Sequence, residues 1–180
     1  MSDDAPQASA KKDAPAEEGK GAISARAVTI NKPVGEVFAR FRDFSRLGDF
    51  MENVVRIDVL DQKRSHWVVK APAGRTVEWD ARITEEQPDR LIAWESEEGA
   101  DVPNSGRVEF RDAGARGTVV TATIAYDPPG GVIGKVIAKL FQREPAIQAR
   151  RDLRRFKQLL ETGEIATAAR NMDEHEKEDA

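Results

Sequence analysis

DPPGGVIGKVIAKLFQREPAIQARRDLRRFKQLLETG, residues 127–163, is the stretch whose reading decides the fold. It is the longest helical pattern in the chain. At about 100° per residue, Ala146, Ala149, Leu153, Phe156 and Leu160 fall on one stripe. Arg150, Arg151, Arg154, Arg155 and Lys157 occupy the other side. The upstream residues Val132, Ile133, Val136, Ile137, Leu140 and Phe141 form a second stripe, offset by roughly 160° if one straight helix carries both. A single helix cannot bury both stripes against one surface. Pro145 removes a backbone donor and clashes with the preceding turn, yet suits a helix start. The spacing therefore predicts two helices, Gly131–Phe141 and Glu144–Thr162, with the second as the packed one and the first as a flap.

Upstream of this stretch the chain reads mostly as strands. Ser24–Ile30 alternates and is stopped by Asn31-Lys32-Pro33. Asn31 is a helix-capping residue type, and Pro33 suits a first helical turn. Val34, Val37, Phe38 and Phe41 follow at helical spacing, and a second short helix is expected over Phe44–Met51. Six strands are then expected: Val54–Leu60, Ser65–Ala71, Arg75–Glu86, Arg90–Glu97, Gly106–Asp112 and Arg116–Tyr126. In Arg75–Glu86, Val77, Trp79, Ala81 and Ile83 alternate with Glu78, Asp80, Arg82 and Thr84, the cleanest period of two in the chain. Hairpin-length turns join these strands, so the sheet is antiparallel with one buried and one wet face. Strand, two small helices, six strands and a long helix make an α+β fold: a seven-stranded curved sheet around a C-terminal helix.

Composition narrows the function classes. The chain has 180 residues, room for one domain with a substantial core. Of its 32 acidic and 28 basic side chains, residues 1–21 and 164–180 together hold 11 and 5, which leaves residues 22–163 with a net charge of +2. A near-neutral folded part argues against a nucleic-acid binder. There is no cysteine, and the two histidines are His66 and His175, so zinc sites built on sulfur or on several histidines are excluded. No metal or other cofactor is expected. The N-terminus lacks the apolar run of a secretory signal, and Val132–Phe141 is too short to span a bilayer, so a cytoplasmic protein is expected. The composition of residues 1–21 and 164–180 predicts disordered tails flanking one domain over residues 22–163.

The run SHWVVKAPAGRTVEWDARITEEQP, with LIAWES, YDPPGG and RRDLRRFKQLLETGEI, resembles a bacterial subgroup of the START-like, or SRPBCC, superfamily. Its members include polyketide cyclase/dehydrases, pollen-allergen-type lipid binders and coenzyme Q-binding proteins. The resemblance covers about residues 22–165 and implies the helix-grip fold, with a cavity between sheet and helix. It implies no particular catalytic residue, because no motif of a characterised cyclase maps onto this chain.

Three tryptophans on successive strands, Trp67, Trp79 and Trp94, converge on the concave face if each shares the side of its apolar neighbours. Plain core packing explains each one as well, since aromatic side chains dominate core burial. The residues expected to line a ligand cavity are Trp67, Val69, Trp79, Ala81, Trp94, Phe110 and Tyr126 on the strands, with Val136, Leu140 and Phe156 from the helical stretch. His66, alternating with Trp67, should lie on the wet face, and so should Glu78, Asp80 and Arg82. Gly130-Gly131 lacks the lysine and hydroxyl residue of a phosphate loop and reads as a turn.

The leading expectation is a module that binds or carries a hydrophobic small molecule: a lipid, quinone or polyketide-like compound. A cyclase or dehydratase is the enzyme alternative, for which Tyr126, Asp112 and an inward-turned Arg82 are weak candidates. The third reading is a protein-interaction module whose concavity is filled by side chains. An apolar Val132–Phe141 flap with lysines behind it could also touch a membrane surface.

Overall fold

The structure is a computed structural model that describes residues 23–126 and 145–165. The expected N-terminal tail, the C-terminal tail beyond Ile165 and the Val132–Phe141 flap, including Val136 and Leu140, lie outside the described residues; Ile165, expected to belong to the tail, instead packs against the core.

Seven strands form one antiparallel sheet: β1 (Ile23–Ile30), β2 (Val54–Val59), β3 (Arg64–Lys70), β4 (Thr76–Gln87), β5 (Leu91–Ser96), β6 (Asn104–Asp112) and β7 (Thr118–Tyr126). Their order is β1-β7-β6-β5-β4-β3-β2. The meander runs from one edge to the other, and β1 closes the far side by pairing with β7. Two register shifts, at Val54/Arg56 on β2 and at Ile83/Glu85 on β4, insert an extra residue. Such bulges bend a strand and add twist, which suits a sheet that curves around a helix.

Helix α1 (Val34–Arg42) and a 3₁₀ turn (Phe44–Asp49) connect β1 to β2, where two small helices are expected from the sequence. Helix α2 (Pro145–Thr162) is the long C-terminal helix. One detail differs from the sequence reading. Asn31 does not cap α1; Pro33 takes that position, with no side-chain hydrogen bond. The backbone N–H of Asn31 instead donates to Glu161 Oε1 at 2.7 Å, which ties the end of α2 to the end of β1. Lys157 adds a second tie, donating to the carbonyl of Thr29 at 2.6 Å.

Burial follows the alternation. On β4, Val77, Ala81 and Ile83 are buried while Glu78, Arg82 and Thr84 are exposed. On α2, Ala149, Leu153 and Phe156 are buried and Leu160 is half-buried, as the stripe predicts. The cationic side is less uniform than expected. Arg150, Arg151 and Arg154 are exposed, but Arg155 turns back to donate to the carbonyl of Phe50 at 3.0 Å, and Lys157 is held by Thr29 and Glu161. A long cationic side chain reaches carbonyls at the margin of a helix face by laying its stem along the apolar surface.

The core has two parts. The larger gathers Phe38, Phe41, Phe50, Phe110 and Phe156 with Ile30, Leu47, Ile92, Val108 and Val120. Its rings meet edge to face or tilted, with Phe41 5.8 Å from Phe110 and 5.7 Å from Phe156, and Phe50 4.5 Å from Phe156. A smaller cluster forms around Val77 and Val102, against Val69, Trp79 and Tyr126.

Candidate functional site

Members of both clusters border a cavity of about 200 Å³ between the concave face of the sheet and the first half of α2. Phe44, Leu47, Phe50 and Met51 bound it from the connecting segment, and Gln148, Ala149, Asp152 and Leu153 from α2. Register explains why the tryptophans meet here. Trp67 lies directly opposite Trp79 across β3 and β4, and Trp94 lies opposite Ile83 and Gly106 across β4, β5 and β6. Trp67 and Trp79 are nearly parallel, with centroids 6.2 Å apart and planes 8° from one another. Phe44 meets Trp67 edge on at 6.2 Å.

The wall is apolar but carries fixed polar groups. The indole N–H of Trp67 donates to Ser65 Oγ at 2.9 Å. That of Trp94 points to Asn104 Oδ1 at 3.4 Å. Asn104 is in turn held by Ser96 Oγ and by the carbonyl of Val102, so its orientation is set. Buried polar groups satisfied in this way order a cavity wall at little cost.

Gly106 determines where Trp94 lies. A Cβ built on Gly106 would overlap the six-membered ring of Trp94, 2.6 Å from Cη2, and would sit 2.9 Å from the carbonyl oxygen of Thr123. The indole therefore lies flat over a backbone position without a side chain. Gly106→Ala is expected to cost about 1–3 kcal/mol, as overpacking does, and to shift tryptophan emission, because all three tryptophans of the chain line this cavity. A urea unfolding curve and emission spectrum unchanged from the parent would refute this account.

Asp152 is the titratable group that stands out on the wall. Its Oδ1 accepts from Gln148 Nε2 at 2.9 Å and from the backbone N–H of Glu52 at 3.3 Å. Burial pushes its carboxyl up to about 6, against the opposing pull of those two hydrogen bonds and of Arg155. Tyr126, also on the wall, is pushed up to about 12 by burial and by the nearby Asp152. Desolvation disfavours the charged form of each.

The cavity brings together Trp67, Val69, Trp79, Ala81, Trp94 and Tyr126 of the ten residues expected to line it. Phe110 and Phe156 do not line it. They lie in the aromatic core, 5 % and 0 % exposed, where neighbouring rings occupy the space around them. Apolar periodicity does not mark Asp152, Ser65 or Asn104, which also line the cavity. The signal for Asp152 was present: it sits three residues after Ala149 and four before Phe156, on the inward stripe of an otherwise cationic segment.

The wet-face residues lie as expected. His66 Nδ1 pairs with Asp80 Oδ1 at 2.7 Å and its Nε2 lies 3.5 Å from Glu78. Arg82 pairs with Glu95 on the outer face, and Asp112 accepts from the backbone N–H of Gly114 in the β6–β7 turn. Arg82 also reaches the border of the cavity, with its guanidinium committed to Glu95, whereas Asp112 does not line it. Among the described residues no cluster of three or more His, Cys, Asp or Glu side chains is placed to hold a metal ion. Among the same residues no helix is long and apolar enough to cross a membrane.

A curved antiparallel sheet gripping a C-terminal helix over an apolar cavity defines the helix-grip class. Residues 30–154 match the family described as polyketide cyclase / dehydrase and lipid transport, and the chain belongs to that family. Among solved structures it is similar to DR_A0006 from Deinococcus radiodurans, at 41 % identity and a TM-score of 0.65, covering 79 % of this chain and 99 % of that one. It is also similar to the Zhui aromatase/cyclase from a Streptomyces species, at 17 % identity and a TM-score of 0.61, covering 81 % and 99 %; this likeness speaks to the fold alone. An uncharacterised 17.2 kDa protein of Streptomyces lincolnensis is 31 % identical over 135 residues, 74 % of this chain and 86 % of that protein.

Proposed function

We propose that the protein binds a hydrophobic small molecule in the cavity between the sheet and α2. The observation that carries this reading is a space of about 200 Å³ walled by three indoles and a ring of aliphatic side chains. Concave, mostly apolar sites with a few fixed polar groups are the usual form of ligand pockets. Family membership supports the same reading, since the family spans both lipid transport and chemistry on polyketides.

Mass spectrometry of small molecules extracted from purified protein tests it directly. A stoichiometric apolar compound is the expected result, and a clean extract together with no uptake of any apolar probe would overturn it. Trp79→Ala removes one face of the stacked pair and is expected to weaken uptake by about tenfold or more, the scale of a lost aromatic contact with its buried area. Unchanged uptake would show that the ligand sits elsewhere.

A second reading, a cyclase or dehydratase, is favoured by one observation: Asp152, held at about 6, shares the cavity wall with Tyr126. A carboxyl tuned near neutrality suits proton transfer to or from a bound substrate. Turnover of a poly-β-ketone substrate that disappears in Asp152→Asn would support it, and binding without turnover would leave the protein a carrier.

A further inference from the structure

Asp152 has a chemistry that a purely apolar ligand would not use. Its two hydrogen bonds both reach Oδ1, and Oδ2 accepts none among the described residues. It takes part in no ion pair there. Arg155, one turn further along α2, spends its Nε–H on the carbonyl of Phe50. The other charged or titratable groups facing the site are Glu52, which repels a negative charge, Tyr126, and Lys70 and Arg82 at the border of the cavity, both exposed and Arg82 already paired with Glu95. Arg155 lowers the cost of the charge from a distance but makes no ion pair with it. A carboxylate in an apolar wall without a directly paired cation is costly, and a cation delivered by a ligand supplies that pairing. The same wall offers three indole faces, and a cation is attracted to the face of an aromatic ring most strongly when the ring is tryptophan.

We propose that this cavity takes a compact amine: an ammonium group seated on Asp152 and an apolar ring lying against Trp67, Trp79 and Trp94. The proposal rests on the cavity-binding reading above and gives it a substrate class. Size agrees. An apolar cavity of about 150 Å³ holds benzene, so the space here suits one ring with a short amine arm. A hydroxyl in place of the ammonium donates a hydrogen bond but leaves the carboxylate charge unpaired, so the amine is selected over its alcohol isostere.

The test compares 2-phenylethylamine with 2-phenylethanol, titrated into the full chain and followed by intrinsic tryptophan emission. All three tryptophans line the cavity, so the signal reports on this site. Near pH 8 the amine is expected to bind about tenfold more tightly or better, the equivalent of one modest charge pair. Near pH 5, where the amine keeps its proton and Asp152 is mostly neutral, the preference is expected to shrink several-fold. Asp152→Asn preserves the Oδ1 acceptor and is expected to abolish the preference while the alcohol still binds. Equal binding of amine and alcohol near pH 8 overturns the amine assignment and leaves the cavity reading standing. No response to either probe overturns both. If the variant does not fold, the pH dependence of the parent protein decides alone.

Discussion

Replacing Phe156 with alanine is expected to destabilise the protein by about 3–5 kcal/mol, the range for deleting a fully buried phenylalanine. Phe156 has no exposed surface. It packs 4.5 Å from Phe50 and 5.7 Å from Phe41, so the truncation removes two aromatic contacts as well as buried area. These partners belong to α1 and the segment after it, whereas Phe156 belongs to α2. The ring therefore holds the C-terminal helix to the opposite wall of the fold. Rigid aromatic neighbours cannot collapse into the vacated space, so the upper part of the range applies. A domain of this kind has roughly 5–15 kcal/mol of stability to lose. Urea unfolding followed by circular dichroism measures the change. Leu160→Ala, on the same stripe but half-buried, is the control and should lose clearly less. A midpoint for Phe156→Ala within about 1 kcal/mol of the parent would show that the aromatic cluster is not what anchors the helix.

Phe156 also shows what the sequence makes legible. The amphipathic stripe on α2 could be read from spacing alone, and so could the inward face of β4 and the meeting of Trp67, Trp79 and Trp94. Periodicity reports which side of an element faces inward. It does not report what lies opposite along that side. Gln148, Ala149, Asp152 and Leu153 meet the cavity, while Phe156, one turn later, meets packed rings. Spacing therefore places Phe110 and Phe156 on the right face but does not separate the cavity from the aromatic core. The division that matters within the described residues falls inside α2, between Leu153 and Phe156, one turn from the next. Other features depend on partners distant in sequence. Glu161 takes the N–H of Asn31 across 130 positions, and Gly106 serves a tryptophan on a neighbouring strand. No local pattern carries these. Asp152 is a different kind of omission, a polar residue on an apolar stripe that a search restricted to apolar positions passes over.

Asp152→Asn is expected to stabilise the protein increasingly as the pH rises above about 4, and most fully at neutral and higher pH. The carboxyl of Asp152 is pushed from 3.8 up to about 6, chiefly by burial. The folded protein therefore keeps a proton that the unfolded chain releases between about pH 4 and pH 6, and stability falls as pH rises through that window. Above the folded value the full cost is present. A shift of about two pKa units corresponds to about 3 kcal/mol. Asparagine carries no charge to desolvate and retains the oxygen that accepts from Gln148 and Glu52. The difference in stability between variant and parent should be near zero at about pH 4, open through pH 6 and level off beyond it at up to about 3 kcal/mol. Thermal unfolding across that range measures it. A variant that is equally stable or less stable at about pH 8 would show that the carboxylate is already compensated where it sits, and the case for a ligand that supplies a directly paired cation would lose its energetic basis. A stabilised variant would show that the chain keeps a destabilising group on the wall of its cavity. The residue would then be retained for what it does to an occupant, since a neutral isostere serves the fold better.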